Sequence, residues 1–183
     1  MKYYIDIKLS PDEEVPIYFI RNKIYTKLHK ALFTLKSTEI AVSFPRYKTK
    51  LGDVIRLHGT EAKLTELQFT DWLGGLKGYC SINAIQATPD DVSYRNISRI
   101  QSNMTESKLR RLIKRGSISE DEVKAYKAKM FQTGLDNPFL ELVSASNGQN
   151  HRRYLQFGEV LTNPVEGDFD YFGLSKTATV PWF

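Results

Sequence analysis

A histidine on a predicted helix is the side chain of this sequence best suited to moving protons. His29 lies in the segment KIYTKLHKAL, with Tyr25 four residues before it and Phe33 four residues after it. This spacing places the imidazole at the border of an apolar helical stripe. Because histidine titrates near neutral pH, His29 could transfer protons at a reacting group. A structural histidine packed against the core is the alternative interpretation.

A turn in the second half of the chain carries two serines that could hold a ribose. Ser144 and Ser146 stand two residues apart, so they would face the same side of an extended segment. Asn147-Gly148 beside them is a strong hairpin signal. Small polar residues are also common in turns for conformational reasons alone. The residues by themselves leave both interpretations open.

Positive charge is concentrated between residues 95 and 116. That stretch contains seven Lys or Arg residues and one acid, a net charge of +6, whereas the whole chain of 183 residues carries +5. Its predicted helix has five cations and no acid between residues 107 and 116, so their repulsion is uncompensated there. Such a cluster favours nucleic acid, and a plain basic surface is the alternative. The five cations are Lys108, Arg110, Arg111, Lys114 and Arg115.

Two polar residues precede this helix on a segment that alternates like a strand. Arg99 and Gln101 are two residues apart, and such residues point the same way from a strand. Arginine fits the O6/N7 edge of guanine, and glutamine fits the N6/N7 edge of adenine. The pair could therefore read bases, although an exposed polar strand face has the same spacing.

The hydrophobic pattern predicts an α+β protein with two domains. Residues 1–92 are expected to fold as β-α-β-β-α-β, the ferredoxin-like or RRM-like unit, with a first strand at 3–9, an 18-residue helix from Ile17 and a last strand at 79–87. Many RNA-binding proteins use this unit, so RNA is favoured over DNA by analogy.

Residues 93–183 are expected to form a smaller α+β domain that carries the arginine-rich helix. Thr105 is the predicted cap of that helix, and Ser119-x-x-Glu122 is a capping box that opens another helix at about 120–130. Two strands at 139–144 and 152–157 are expected to form a hairpin around the Asn-Gly turn.

Composition argues against several functional classes. No apolar run approaches the roughly 20 residues that span a bilayer, and the N-terminal segment lacks an apolar signal region. Cys80 is the only cysteine, which fits a reducing cytoplasm. Histidines and cysteine are not in ligand spacing, and phosphate-loop and dinucleotide motifs are absent. We therefore expect a cytoplasmic protein with no membrane partner, no metal and no cofactor.

Five motifs in order make the chain similar to a known family. They are K-L-H-x-A-L around His29, I-x-V-S-F-P at 40–45, S-R-x-Q before the basic helix, the S-x-S-x-G-Q turn, and G-L-S-K…V-P-W-F at the end. The chain resembles the CRISPR RNA-processing endoribonucleases of the I-F subtype, a Cas6-type family that cleaves repeat hairpins. The resemblance runs from the first strand to Phe183.

The resemblance implies an activity and two catalytic residues. A member of this family binds the CRISPR repeat stem-loop of precursor crRNA and cuts at the 3′ base of the stem without metal. The substrate's 2′-hydroxyl attacks and leaves a 2′,3′-cyclic phosphate. The protein stays on the mature crRNA and joins the other subunits of the I-F surveillance complex. His29 matches the catalytic histidine, and Ser144 matches the serine that orients the ribose.

The resemblance also implies a set of RNA contacts. Arg99 and Gln101 match residues that read base edges at the bottom of the stem, and the five helix cations match a helix laid into the major groove. Further RNA contacts are expected from the turn region, at Ser146, Asn147 and His151.

Two positions depart from the family pattern. Where the family often has a tyrosine before G-L-S, this chain has Phe172, and Tyr171 would point to the opposite face if the segment were extended. His151 stands where an aromatic ring is expected to stack on the last stem base pair; a histidine ring can also stack, with a charge that depends on pH.

Two other functions remain open from the residues alone. The chain could be a non-catalytic RNA-hairpin-binding subunit in which His29 is structural. It could also be an RRM-like binder of single strands, because Lys77-Gly78-Tyr79 begins like an aromatic RNA-binding strand. Cys80, Ser81 and Ile82 do not continue that pattern.

Overall fold

The computed structural model describes residues 1–101, 106–132, 136–143 and 148–183. They form two compact units, one made of residues 1–99 and 138–183 and the other of residues 100–137. The strands are β1 Tyr3–Leu9, β2 Ala41–Ser43, β3 Val54–Gly59, β4 Cys80–Ile82, β5 Gln86–Ala87, β6 Ser93–Ile100, β7 Phe139–Val143, β8 Asn150–Leu161 and β9 Thr179–Trp182. The α-helices are α1 Ile17–Thr34, α2 Glu61–Phe69, α3 Glu106–Lys114 and α4 Glu120–Gln132.

The first sheet of the larger unit has the ferredoxin-like strand order. Its strands run β2-β3-β1-β4, all antiparallel, and the short β5 also pairs with β1. Alternation in β1 buries Ile5 and Ile7, which lie opposite Leu57 and Ile55 of β3. The predicted α+β class and the ferredoxin-like N-terminal fold are confirmed.

The prediction of one continuous strand at residues 79–87 is wrong. Residues 74–79 form a 3-10 helix, and the segment 79–87 splits into β4 and β5. Gly74 is the first residue of this 3-10 helix and has a positive φ of 50°, a backbone conformation that glycine adopts at little cost. The amide of Asn83 then bonds the carbonyl of Asp6, and the chain leaves the ladder between the two short strands.

A second sheet in the same unit supports the helix that carries His29. Its strands run β7-β8-β6-β9, and the predicted hairpin strands pair with Leu142 opposite His151 and Leu140 opposite Arg153. α1 contacts both β1 and β7, because it buries apolar residues along its length. Residues 144–147, where the sequence predicts the turn, lie outside the described residues.

The smaller unit contains the basic helix α3 and the helix α4, which contact each other. The capping box is confirmed: the amide and hydroxyl of Ser119 donate to Glu122 Oε2 at 2.8 and 2.9 Å, and the Glu122 amide donates to Ser119 Oγ. α3 ends at Lys114, and Gly116 two residues later, with a φ of 63° and an amide that donates to the Ile113 carbonyl, forms a glycine stop. Thr105, its predicted cap, lies outside the described residues.

Two absences apply to the described part of the chain only. Its helices include none that is long and apolar enough to cross a membrane. Its His, Cys, Asp and Glu side chains include no group of three or more that could hold a metal ion. The predicted division into residues 1–92 and 93–183 concerns domains along the sequence and stays a prediction.

A buried histidine in the first sheet makes the stability of the fold sensitive to acid. His58 is fully buried on β3, and one of its ring nitrogens, Nε2, lies 2.8 Å from Ser43 Oγ on β2. The other ring nitrogen, Nδ1, is buried and has no hydrogen-bond partner among the described residues. Burial, aided by the charge of Arg56, lowers the pKa of His58 to about 3.

We expect the free energy of unfolding to fall as the pH drops below 6.5. The unfolded chain protonates His58 near its ordinary pKa of about 6.5, whereas the folded chain resists protonation until about pH 3. The stability is therefore full above pH 6.5, and this residue alone should remove about 2 kcal/mol between pH 7 and pH 5. Urea unfolding at the two pH values measures the loss.

The control is His58→Gln, whose amide can still bond Ser43 but does not titrate in this range. Its loss between pH 7 and pH 5 should be smaller by that amount. An equal loss in both proteins would contradict the assignment to His58.

Candidate active site and nucleic-acid interface

His29 is held by a backbone carbonyl on a distant turn. It lies on α1, half-buried, and its Nδ1 is 2.9 Å from the carbonyl oxygen of Tyr171. A carbonyl only accepts hydrogen bonds, so Nδ1 must carry a proton. In the neutral imidazole the lone pair then belongs to Nε2, which can accept a proton from another group.

The turn at residues 170–174 is shaped by its own hydrogen bonds. Asp170 Oδ1 accepts from the amides of Phe172 and Leu174, and the Gly173 amide donates to the Asp170 carbonyl. Gly173 has a φ of 71°, and a Cβ there would lie 2.4 Å from a side-chain carbon of Val42. Its carbonyl accepts from the Val42 amide at 2.9 Å, so the turn is bonded to β2. Only glycine satisfies both the conformation and the close approach.

A tyrosine one helical turn before His29 holds the next carbonyl of the same turn. The hydroxyl of Tyr25 donates to the carbonyl of Phe172 at 2.7 Å. Tyr25 is fully buried, and burial raises its pKa above the ordinary value, so the phenol stays a neutral donor. Tyr25 and His29 are four residues apart on α1 and therefore bind two consecutive carbonyls.

The two aromatic residues of the turn contact different parts of α1. The ring of Phe172 stacks on His29, with centroids 3.5 Å apart and planes inclined by 9°. The ring of Tyr171 meets Phe33 edge to face at 5.5 Å. The segment is a turn, so the extended geometry considered from the sequence does not apply. The backbone carbonyl of Tyr171 bonds His29, and the side chain of Phe172 stacks on the imidazole ring.

Behind Phe172 lies an arginine that sequence reasoning missed. The guanidinium carbon of Arg153, on β8, is 3.5 Å from the centre of the Phe172 ring, and Arg153 is buried. Arg153 alternates with buried Leu155 on the inner face of β8. A charged residue at an inward position of an apolar strand is the signal that could have identified it.

Several neighbours act on the protonation of His29, and their sum favours the neutral ring. Burial lowers its pKa and is the largest cause; the charges of Arg153 and Lys30 lower it further. The Tyr171 carbonyl and the charge of Asp170 act in the opposite direction. His29 is therefore neutral near pH 7, with the proton on Nδ1 and the lone pair on Nε2.

A cleft of about 570 Å³ opens beside His29. Predicted site residues His29, His151 and Phe172 are brought together in its wall. The other lining residues are Thr26, Lys30, Phe33, Thr34, Leu142 and Val143. Ser144, Ser146 and Asn147 lie outside the described residues. An open cleft that combines a proton acceptor with a cationic lysine can accommodate an anionic group such as a phosphate.

The predicted RNA-binding cations lie on an exposed helix of the smaller unit. Lys108, Arg110, Arg111 and Lys114 are exposed on α3, and Arg115 is exposed in the turn after it. Leu109, on the same helix, is buried. Arg110 forms an ion pair with Glu106 at 3.7 Å, and exposed pairs of this kind contribute little. The helix thus presents a strongly positive surface to solvent.

The two predicted base-reading residues are also accessible. Arg99 is exposed near the end of β6, which ends at Ile100. Gln101 is exposed just beyond that strand. Their exposure is compatible with binding to base edges, and their role stays a prediction.

Comparison with known proteins gives one family. A family model described as CRISPR-associated protein (Cas_Csy4) matches residues 4–183. A relative from Escherichia coli (strain UTI89 / UPEC), named CRISPR-associated endonuclease Cas6/Csy4, is 33% identical over 184 residues and covers 100% of both chains. A relative of the same name from Pseudomonas aeruginosa (strain UCBPP-PA14) is 35% identical over 187 residues, again over 100% of both chains. The match over nearly the whole length confirms the resemblance that the five motifs indicated, and the chain belongs to the Cas6/Csy4 family of CRISPR-associated proteins.

Proposed function

We propose that this chain is a metal-independent endoribonuclease that cleaves the CRISPR repeat stem-loop in precursor crRNA. It cuts at the 3′ base of the stem by attack of a 2′-hydroxyl, leaves a 2′,3′-cyclic phosphate, and remains bound to the mature crRNA. The observation that carries the proposal is the state of His29: a neutral imidazole with its proton fixed on Nδ1, facing an open cleft. The names of the two relatives, both endonucleases, support it.

The proposed reaction needs one proton acceptor and correct placement of the ribose. Nε2 of His29 takes the proton of the 2′-hydroxyl as O2′ attacks phosphorus. The bond from phosphorus to O5′ breaks, and O5′ takes up a proton as it leaves. Ser144 orients the ribose so that O2′ is in line with the leaving oxygen. No protein nucleophile takes part, because the substrate supplies its own.

Recognition of the hairpin is assigned to the other predicted residues. The cations of α3 and its following turn bind phosphates along the major groove of the stem. Arg99 and Gln101 read base edges at the bottom of the stem. His151 stacks on the last base pair from the wall of the cleft, and Ser146 and Asn147 contact the RNA beside it. Other subunits of an I-F surveillance complex, in the cytoplasm, are the proposed partners of the RNA-bound protein.

The second candidate is a hairpin-binding subunit without catalysis. The observation in its favour is the packing of His29, which is half-buried and stacked at 3.5 Å on Phe172, as a structural histidine would be. Cleavage separates the two candidates, since both bind the stem-loop. A preference for stem-loop over unpaired RNA separates both from an RRM-like single-strand binder.

We expect one cut at the foot of the stem when the protein meets its cognate repeat hairpin in EDTA. A second RNA with 2′-deoxy at the nucleotide upstream of the cut should bind equally and stay intact, because it lacks the attacking oxygen. Gel analysis of the products, with detection of the cyclic phosphate, is the measurement. Cleavage of the deoxy RNA, or a requirement for added divalent metal, would contradict the mechanism.

Replacement of His29 should abolish cutting and preserve binding. His29→Asn is the sharper variant, because its amide can still donate to the Tyr171 carbonyl but cannot accept a proton. Single-turnover cleavage by both His29→Asn and His29→Ala should fall by about 10²–10⁴-fold, the usual size of general-base catalysis. Hairpin affinity should change less than about twofold, since binding rests on other residues. Normal cutting by His29→Asn would return His29 to a structural role.

Loss of one helix cation should change the salt dependence of binding. Arg111→Ala and Arg115→Ala should each weaken hairpin binding and reduce the slope of log K against log salt by about one. Lys124→Ala on α4 is the matched control, because that exposed cation pairs with Asp121 at 3.7 Å and lies outside the basic cluster. An unchanged slope in both arginine variants would show that α3 faces away from the RNA.

A further inference from the structure

Phe172 is the middle layer of a three-part stack. The His29 ring lies nearly parallel to it, with centroids 3.5 Å apart, and Cζ of Arg153 lies 3.5 Å from the same Phe172 centroid. Two groups this close to one centroid cannot share a face of the ring without overlapping. The imidazole and the guanidinium therefore lie on opposite faces, about 7 Å apart, which is twice the 3.5 Å spacing.

Arg153 is an unusual residue for its place in the fold. It is 5% exposed, and no salt bridge to it is found among the described residues. Its Nε is buried and has no hydrogen-bond partner within the described part of the chain. An unpaired buried cation destabilises a protein, and an apolar residue would pack in such a position at lower cost. The negative face of the Phe172 ring is the attractive contact that the structure provides.

The stack favours the neutral form of His29. A protonated imidazole would be a second cation on a ring whose other face already holds one, and the two positive charges would repel each other. A neutral imidazole stacks on the phenyl ring without that penalty. Arg153 therefore acts on His29 by its charge, from a position that the shared Phe172 ring fixes.

The other charged groups around His29, and the neighbouring His151, do not share this geometry. Lys30 follows it on α1, Asp170 lies in the turn, and His151 on β8 lines the cleft. β7 contributes the apolar side chains Leu142 and Val143 to the same cleft. Within the described part of the chain, Lys30, Asp170 and His151 make no ring contact with Phe172, whereas Arg153 does.

We propose that Arg153 is a positioning residue for His29, which clamps the imidazole through the Phe172 ring and keeps it in the neutral, proton-accepting form. The consequence for cleavage rests on the function proposed above, but the effect on the imidazole does not.

The test is an NMR titration of His29 in the RNA-free protein with labelled histidine. At the pH where half of the native His29 is protonated, Arg153→Met should raise the ratio of protonated to neutral imidazole roughly threefold to tenfold, the effect of one charge lost at about 7 Å. Arg153→Lys keeps a cation over the ring and should restore the native titration. Should Arg153→Met fail to fold, Arg153→Gln replaces it, since its planar amide is polar and uncharged.

Arg152→Met is the matched control. Arg152 neighbours Arg153 on β8 but pairs with Glu141 at 3.1 Å and lies over Phe139. Its replacement should leave the His29 titration unchanged. A titration curve for Arg153→Met that superimposes on the native curve, or an equal shift in Arg152→Met, would overturn the proposal.

A double-mutant cycle tests whether the ring is needed to place Arg153 where its charge acts on His29. In a Phe172→Leu background the ring is absent, so Arg153→Met should shift the titration much less than it does in the native background. An equal shift in both backgrounds would show that the ring is not needed to hold Arg153 in place beside the imidazole, and would overturn the positioning role.

Cleavage kinetics then connect the clamp to function. In Arg153→Met the acid limb of the single-turnover rate should move to higher pH, so that the ratio of the rate at pH 6 to the rate at pH 8 falls below the native ratio. Arg153→Lys should keep the acid limb in place. A native protein that cuts no RNA, with the titration shift present, would contradict the proposed function and leave the role of Arg153 standing.

Discussion

The hydrogen bonds from Tyr25 and His29 to two consecutive carbonyls are the constraint on which the candidate site depends. One fixes the proton on His29 Nδ1, and the other places the backbone of Phe172 so that its ring covers the imidazole. Each bond contributes only about 0.5–1.5 kcal/mol net, but a buried hydroxyl left without a partner costs about 1–3 kcal/mol. The arrangement is therefore specified more strongly by the cost of breaking it than by the gain of making it.

The turn that carries these carbonyls is positioned by both sheets of the larger unit. Asp170 shapes the turn, and Gly173 brings it against Val42 of β2. α1 reaches the turn from between β1 of the first sheet and β7 of the second. A cleft lined by residues of α1, β7 and β8 then opens beside His29. The position and orientation of the His29 ring therefore depend on contacts made by both sheets of the larger unit.

Local patterns in the sequence predicted most of the elements and the candidate histidine. The alternation in β1, the stripe of α1, and the Ser119–Glu122 capping box each act over a few residues, so they can be read directly. The site was harder because its contacts are distant: Tyr25 bonds a residue 147 positions away. The role of Arg153 was missed because most arginines are exposed, and its contact with Phe172 joins residues that lie far apart in the sequence. The segment 79–87 was misread because apolar letters do not show where a strand leaves its ladder.

The long separation between His29 and the Tyr171 carbonyl, 142 positions, also fixes an order of events during synthesis. His29 leaves the ribosome well before the turn that orients it, because the turn follows 142 positions later in the chain. Nascent chains that already display α1 therefore lack the oriented imidazole, and so do fragments released before residue 171. The candidate site is therefore assembled only after residue 171 has been synthesised, although the helix that carries the histidine can form much earlier.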